Sequence, residues 1–404
     1  MVDIVDTGQR SRVAMVGDWL YSKLSRVTSS GQLIREIDGL RFIAITAVVV
    51  CHINTDLIKA TYGHYPATVA ANGFFNWLFS NGSIGVHLFF VISGFVLALP
   101  FAQHYLCKKT KPKLGRYFLR RVTRLEPPYI LNLLFLAAMR VAIMGDSPGT
   151  VLPHLAASIG YVHNIIYQSM STINQVAWSL EIEVQFYVLA PLIAKMFLIR
   201  GTAARRLAIV GMAAVFTIAQ NLIPVDSWFF NHFNMSIIYK MQYFLMGFLL
   251  VDIYLLNWKS QPEKCRAWDV VSALCWLGII PVLRFGAFVE YLVPALIVIA
   301  YIGAFRGRLM SRLLSSRFFV VCGGMCYTLY LYHGKIAYAL MPKLLHLPHT
   351  GLLMFDVPML VILAYVPILA ICALLFALIE KPCMRPDWPT RLKGAVLRCL
   401  SANR

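Results

Sequence analysis

Ten apolar runs, each about twenty residues long, recur along the chain near 38–58, 80–101, 125–144, 176–198, 205–224, 235–256, 268–284, 288–305, 317–341 and 356–380. At 1.5 Å per residue, a helix of about 20 residues crosses the hydrocarbon core of a bilayer. No water is available there to satisfy a backbone, so runs of this length fold as spanning helices. The expected fold is all-α: a polytopic membrane helix bundle of about ten transmembrane helices. Composition agrees. Only 14% of the 404 residues are charged, 59% are hydrophobic and the mean hydropathy is +0.67, whereas a soluble domain carries about 25% charged residues. No polar stretch is long enough for a second, soluble domain.

The basic residues fix the expected orientation. The formal net charge is +19, but the cations lie in short stretches between apolar runs, a pattern of membrane topology and anionic headgroups, not of a nucleic-acid-binding patch. Residues 1–37 hold five Lys or Arg, the loop 102–124 holds eight, and the loops after runs four, six and eight hold four, three and four; six more follow residue 380. Thus 30 of the 37 basic residues fall on one side, while the alternate loop 145–175 has none. The positive-inside bias then places both termini in the cytoplasm. The expected organisation is a basic N-terminal tail (1–37) with an amphipathic turn around Trp19–Leu24, a membrane domain (38–382) and a basic C-terminal tail (383–404). The tail lacks the apolar core of a cleavable signal, so a multi-pass protein of the cytoplasmic membrane is expected. The nine cysteines form no CxxC pair and no Cys/His cluster with metal spacing, so neither a disulfide framework nor a metal site is expected.

Ionisable groups inside apolar runs are costly and mark functional candidates. Arg41 and His52 in the first run are eleven residues apart, which places them on one helix face, about 16 Å apart along the axis. The pair offers a cation at the cytoplasmic boundary and a proton acceptor deeper in, or else a snorkelling Arg and a structurally satisfied His. Arg121 and Arg124 lie one turn apart just before Pro127-Pro128. Two guanidinium forks suit a diphosphate or a nucleotide 3′-phosphate, although positive-inside anchoring also accounts for them. Glu183 in the fourth run falls about 10 Å below its outer end, a depth similar to that of His52. It could orient the imidazole, or Glu181 and Glu183 could pair with Lys240 or Arg284. Gly94 beside Ser93 points to close helix packing, and the run Tyr327–His333 to an acceptor pocket or an interfacial aromatic belt.

Taken together, these segments resemble acyltransferase family 3, integral membrane enzymes that O-acylate glycans, lipids and some antibiotics. The matching pieces are Asp38-Gly-Leu-Arg41 with His52, Gly85…Phe89-Phe90…Ser93-Gly94-Phe95, Arg121-x-x-Arg124, Trp178-Ser-Leu-x-x-Glu183…Phe186-Tyr187, Leu329-Tyr330-Leu-Tyr332-His333 and Glu380-Lys-Pro382, in the family's order. The resemblance implies a catalytic His52 supported by Glu183, and an acyl-CoA donor, acetyl-CoA foremost, served by Arg41, Arg121 and Arg124. It further implies a hydroxyl acceptor on a glycan, a lipid-linked saccharide or a related molecule. Two departures stand out. The family's double Glu is here Glu183-Val184 with an extra acid at Glu181, leaving open which carboxylate acts. The chain also ends soon after Glu380, as expected of the stand-alone type without a fused hydrolase-like domain. The rival is a transporter or flippase in which the same charges line a path.

Overall fold

The computed structural model describes residues 18–19, 21–27, 33–60, 74–282, 291–347, 350, 352–385, 388 and 390. Arg284 and most of both terminal tails lie outside them. The described residues form helices and connecting turns, with no strand. Each of the ten apolar runs contains a helix, labelled here in chain order: α1 (Arg35–Ala60), α2 (Ile84–Cys107), α3 (Leu114–Ala142), α4 (Trp178–Ile193), α5 (Thr202–Leu222), α6 (Met241–Leu256), α7 (Arg266–Val282), α8 (Val293–Arg306), then α9 (Arg308–Leu314), α10 (Arg317–Gly324), α11 (Cys326–Leu344) and α12 (Leu353–Leu375). Among the described residues, five stretches are long and apolar enough to cross a membrane: Phe74–Cys107, Leu114–Ala142, Gln175–Leu198, Thr202–Leu222 and Met354–Cys383. A sixth arises if α8 and α9, bent by 87° at Gly307, count as one span. The apolar α6 is shorter, at 16 residues.

Two features of the chain explain the interruptions. At the α8–α9 bend, Asp269 of α7 accepts from the backbone N–H groups of Arg308, Leu309 and Met310 at 2.9–3.1 Å. The first donors of a new helix need such an acceptor. The ninth run breaks at Met325, and the carboxylate of Glu380 caps the restarted helix α11, taking Thr328 N at 3.1 Å and Thr328 Oγ1 at 2.6 Å. Glu380 reaches this position on a π-helical turn, Phe376–Glu380; such turns often occur at functional sites.

Packing puts α1 against α2, α10, α11 and α12. A Cβ on Gly82 would lie 2.1 Å from the carbonyl oxygen of Ala47, and one on Gly85 2.3 Å from that of Ala44. These approaches set an antiparallel register that brings Ser93 of α2 level with the start of α1, near Asp38. Gly94 and Gly247 do the same for α2 and α6, where added Cβ atoms would meet the carbonyls of Phe244 and Val91 at 2.2 and 2.3 Å. The expected small-residue contact at Gly94 is therefore with α6. Helices α5 and α6 are stapled by the fully buried Asp252, which takes Arg205 Nε at 2.5 Å and Arg206 Nε at 2.6 Å.

Candidate active site

The first cluster gathers at the starts of α1 and α11, the first half of α3, the first turns of α4 and the end of α12. Asp38, fully buried, divides its carboxylate between two guanidiniums: Arg41 Nη1 on Oδ1 at 2.6 Å and Arg26 Nε on Oδ2 at 2.9 Å. Arg121 lies over the Tyr117 ring, 3.7 Å from its centroid, with Tyr187 5.4 Å away on another side. Its Nη1 also donates to the Tyr117 carbonyl at 2.8 Å, so it is held by stacking and a hydrogen bond. Arg124 lies within the electrostatic reach of Arg26, Arg121 and Glu380. Its buried Nε has no hydrogen-bond partner among the described residues, and the same is true of Glu380 Oε1. The unpaired Nε–H of Arg124, among several guanidiniums, is a donor available to an anion, whereas the unpaired Glu380 oxygen is an acceptor and brings negative charge to the same place.

Proline chemistry shapes the wall of this cluster. Pro127 lacks an N–H, so the carbonyl of Thr123 has no intrahelical donor. The indole of Trp388, from the C-terminal segment, supplies one at 2.9 Å. Tyr327 of α11 similarly donates to the carbonyl of Leu125 at 2.9 Å, tying α11 to α3 beside Arg124.

Glu183 belongs to this end of the molecule. Ser93 Oγ donates to its Oε1 at 2.6 Å, and its charge acts on Arg41 and Arg121. Since Ser93 is level with the start of α1, Glu183 lies nearer Arg41 than the depth of His52 that its place in the fourth run suggested. Glu181, two residues before Glu183 and so on the other side of α4, faces elsewhere. It is fully buried and accepts the backbone N–H of Asn164 at 2.9 Å, holding the loop that follows the helix Pro148–Ile159.

The second cluster lies further along α1. His52 Nδ1 is 2.8 Å from His333 Nε2, with ring centroids 5.0 Å apart. His333 is fully buried, and its Nδ1 lies 2.8 Å from the carbonyl of Leu329 and 3.0 Å from that of Tyr330. A carbonyl only accepts, so His333 carries its proton on Nδ1 and presents a bare Nε2. His52 must then donate through Nδ1, which places the lone pair of its ring on Nε2. Tyr330 is oriented as well: its hydroxyl is bonded to Ser179 at 3.1 Å and to the carbonyl of Val176. His333, buried, and Tyr330, half-buried, are thus both held by hydrogen bonds. Sequence reasoning passed over His333 as an ionisable group deep in an apolar run, although that criterion had selected His52. It also passed over Arg26, which comes from outside the apolar runs.

Comparison with known proteins resolves the class. The family model for the acyltransferase domain of acyltransferase family 3 matches residues 34–377. The chain belongs to acyltransferase family 3. Its described residues include helices long and apolar enough to cross a membrane. Similar curated relatives include the O-acetyltransferase OatA of two Staphylococcus aureus strains, NCTC 8325 / PS 47 and COL, each 29% identical over 174 residues. That alignment covers 41% of this chain and 25% of OatA, so the chain spans about a quarter of the length of these relatives. No solved structure matches it. Among the described residues, no group of three or more His, Cys, Asp or Glu side chains could hold a metal ion.

Proposed function

We propose that this acyltransferase moves an acyl group, acetyl foremost, from cytosolic acyl-CoA to a hydroxyl of a cell-surface glycan, lipid-linked saccharide or related acceptor. The observation that carries the reading is the placement of two clusters on α1, anion-binding arginines at one end and a tautomer-fixed histidine eleven residues further on. That interval is about 16 Å of helix. The pantetheine arm of CoA, roughly as long as an extended peptide of four or five residues, spans about 13–18 Å. Phosphates held by Arg41, Arg121 and Arg124 would thus leave the thioester near His52. The orphaned Nε of Arg124 supports the same assignment.

In the proposed reaction, His52 Nε2 takes the proton of the acceptor hydroxyl as its oxygen attacks the thioester carbonyl. The C–S bond then breaks, and the CoA thiolate takes up the proton. General-base help of this kind contributes about 10²–10⁴ in rate. Glu183 acts at the donor end, balancing the arginines and holding Ser93. Cytoplasmic placement of both termini, and of the donor end with them, follows the positive-inside bias.

The test is turnover of labelled acyl-CoA in inverted vesicles from native membranes, comparing wild type with His52→Ala and Arg124→Ala at equal expression. Wild type should pass label to a membrane or glycan fraction, with the His52 variant down about 10²–10⁴-fold and the Arg124 variant impaired mainly in KM for the donor. Full activity in His52→Ala would remove the catalytic assignment. Absence of acyl-CoA consumption by wild type would remove acyl-CoA as the donor.

A further inference from the structure

Resting on the donor reading above, we propose that Arg26 of the N-terminal segment is a donor-binding residue, completing the arginine cluster that holds the phosphates of acyl-CoA. It lies outside residues 34–377, the stretch the family model covers, so this role comes from the structure of this chain alone.

Three observations carry the argument. The first is position. Arg26 shares Asp38 with Arg41, one guanidinium on each carboxylate oxygen, and Arg124 is among its nearest charges. Only its Nε is engaged with Asp38, and its terminal amino groups make no hydrogen bond to the described residues. The side chain is 13% exposed. Burial, and then the neighbouring Arg41, lower its guanidinium to about 10 against the pull of Asp38, which leaves it cationic at neutral pH.

The second is that Arg26 is not what fastens its segment. Lys381 Nζ donates to the carbonyls of Ser22 and Lys23 at 2.7 and 2.8 Å. Arg317 pairs with Asp18 at 2.6 Å and lies over the Tyr21 ring. Leu24 and Val27 pack against the core around α1, α11 and α12. Docking is thus accounted for by other residues. Gly324, at the end of α10, leaves room for the Arg26 stem, which passes 3.5–3.7 Å from where a Cβ would stand.

The third is charge. Arg26, Arg41, Arg121 and Arg124 face Asp38, Glu183 and Glu380, a surplus of cation in a buried place where Arg124 Nε is unpartnered. Buried guanidiniums are stable when a further anion completes their hydrogen bonds, and the phosphates of CoA are anions of that kind.

The experiment uses the full chain in membrane vesicles with two donors, acetyl-CoA and S-acetylpantetheine, which carries the same thioester without phosphates. Arg26→Ala should raise KM for acetyl-CoA about tenfold while kcat stays within about twofold. Turnover of S-acetylpantetheine should not change. Arg26→Lys, which keeps the charge and loses the fork, should fall between wild type and Arg26→Ala. Equal losses with both donors would make Arg26 a fold-stabilising strap and overturn the proposal. If Arg26→Ala fails to accumulate, Arg26→Lys and Arg26→Gln carry the same comparison. Loss of all three from the membrane would assign Arg26 to folding and likewise overturn it. Wild type that uses both donors with equal efficiency would instead show that phosphates are not read at all, which removes the donor reading and this proposal together.

Discussion

Replacing His333 by alanine removes the acceptor that fixes the tautomer of His52, and the consequence can be worked from two hydrogen bonds. In the resting state His52 Nδ1–H donates to His333 Nε2 across 2.8 Å, a neutral bond worth about 0.5–1.5 kcal/mol net. When His52 takes a proton on Nε2 its ring becomes cationic, and the same bond rises to about 1.5–3 kcal/mol. The difference, about 1–2 kcal/mol, exists only as the proton moves, so it lowers the barrier and not the ground state. At 1.36 kcal/mol per tenfold this is about 5–30-fold in kcat. The expected result for His333→Ala is a kcat loss in that range with KM for acyl-CoA unchanged, since the arginines lie at the other end of α1. His333→Gln, whose Oε1 can accept the same N–H, should recover most of the loss. In a His52→Ala background the His333 substitution should cost nothing further, because the two residues act as a unit. Steady-state kinetics on equal amounts of folded protein checks all of this. A multiplicative loss in the double variant, or a His333→Ala effect confined to KM, would refute the reasoning.

Two further outcomes follow from the buried charges. Asp252→Asn leaves Arg205, only 5% exposed, facing Arg206 without the carboxylate both share; the expected cost is about 3 kcal/mol, read as a fall of several degrees in thermal unfolding of the detergent-solubilised protein, and an unchanged midpoint would show that Asp252 does not staple α5 to α6. The two glutamates of α4 should separate by assay. Glu181→Gln weakens the acceptor for the buried Asn164 N–H and should lower thermal stability by about 1–3 kcal/mol with kcat preserved. Glu183→Gln removes the charge beside Arg41 and Arg121 and should lower kcat/KM for acyl-CoA about tenfold at near-normal stability; the reverse pattern would exchange their roles.

The helices were legible because their signal is local. Twenty apolar residues specify a helix whatever surrounds them, and all ten runs contain one. The spacing of Arg41 and His52 was legible for the same reason, since one continuous helix carries both. Relations between helices were not. The depth of Glu183 was counted from the outer end of its own run, but its level is set by Ser93, and that of Ser93 by the approaches of Gly82 and Gly85 to α1. Sequence supplies those glycines without saying which carbonyl each will meet. Arg26 was hidden differently: one cation among five in a basic tail has no feature to distinguish it, and its position depends on the Asp38 oxygen left over after Arg41 has taken the first. Glu380 looked like the end of a span because only the break at Met325 gives its carboxylate something to cap.

The separation of the clusters also constrains the proposed chemistry. Arg41 and His52 are carried by one helix, Arg35–Ala60, without a proline or a break, so the interval between donor anchor and base is rigid to within the bending of a single helix. A carrier with phosphates at one end and a thioester about 16 Å away meets both ends at once, whereas a short thioester would have to find His52 without the arginines. Binding energy gathered at the phosphates then serves to capture the donor and bring its thioester to the base. On this argument the arginines matter to KM for the donor, and only when the connecting arm is intact. His333, which touches only the base, matters to rate alone.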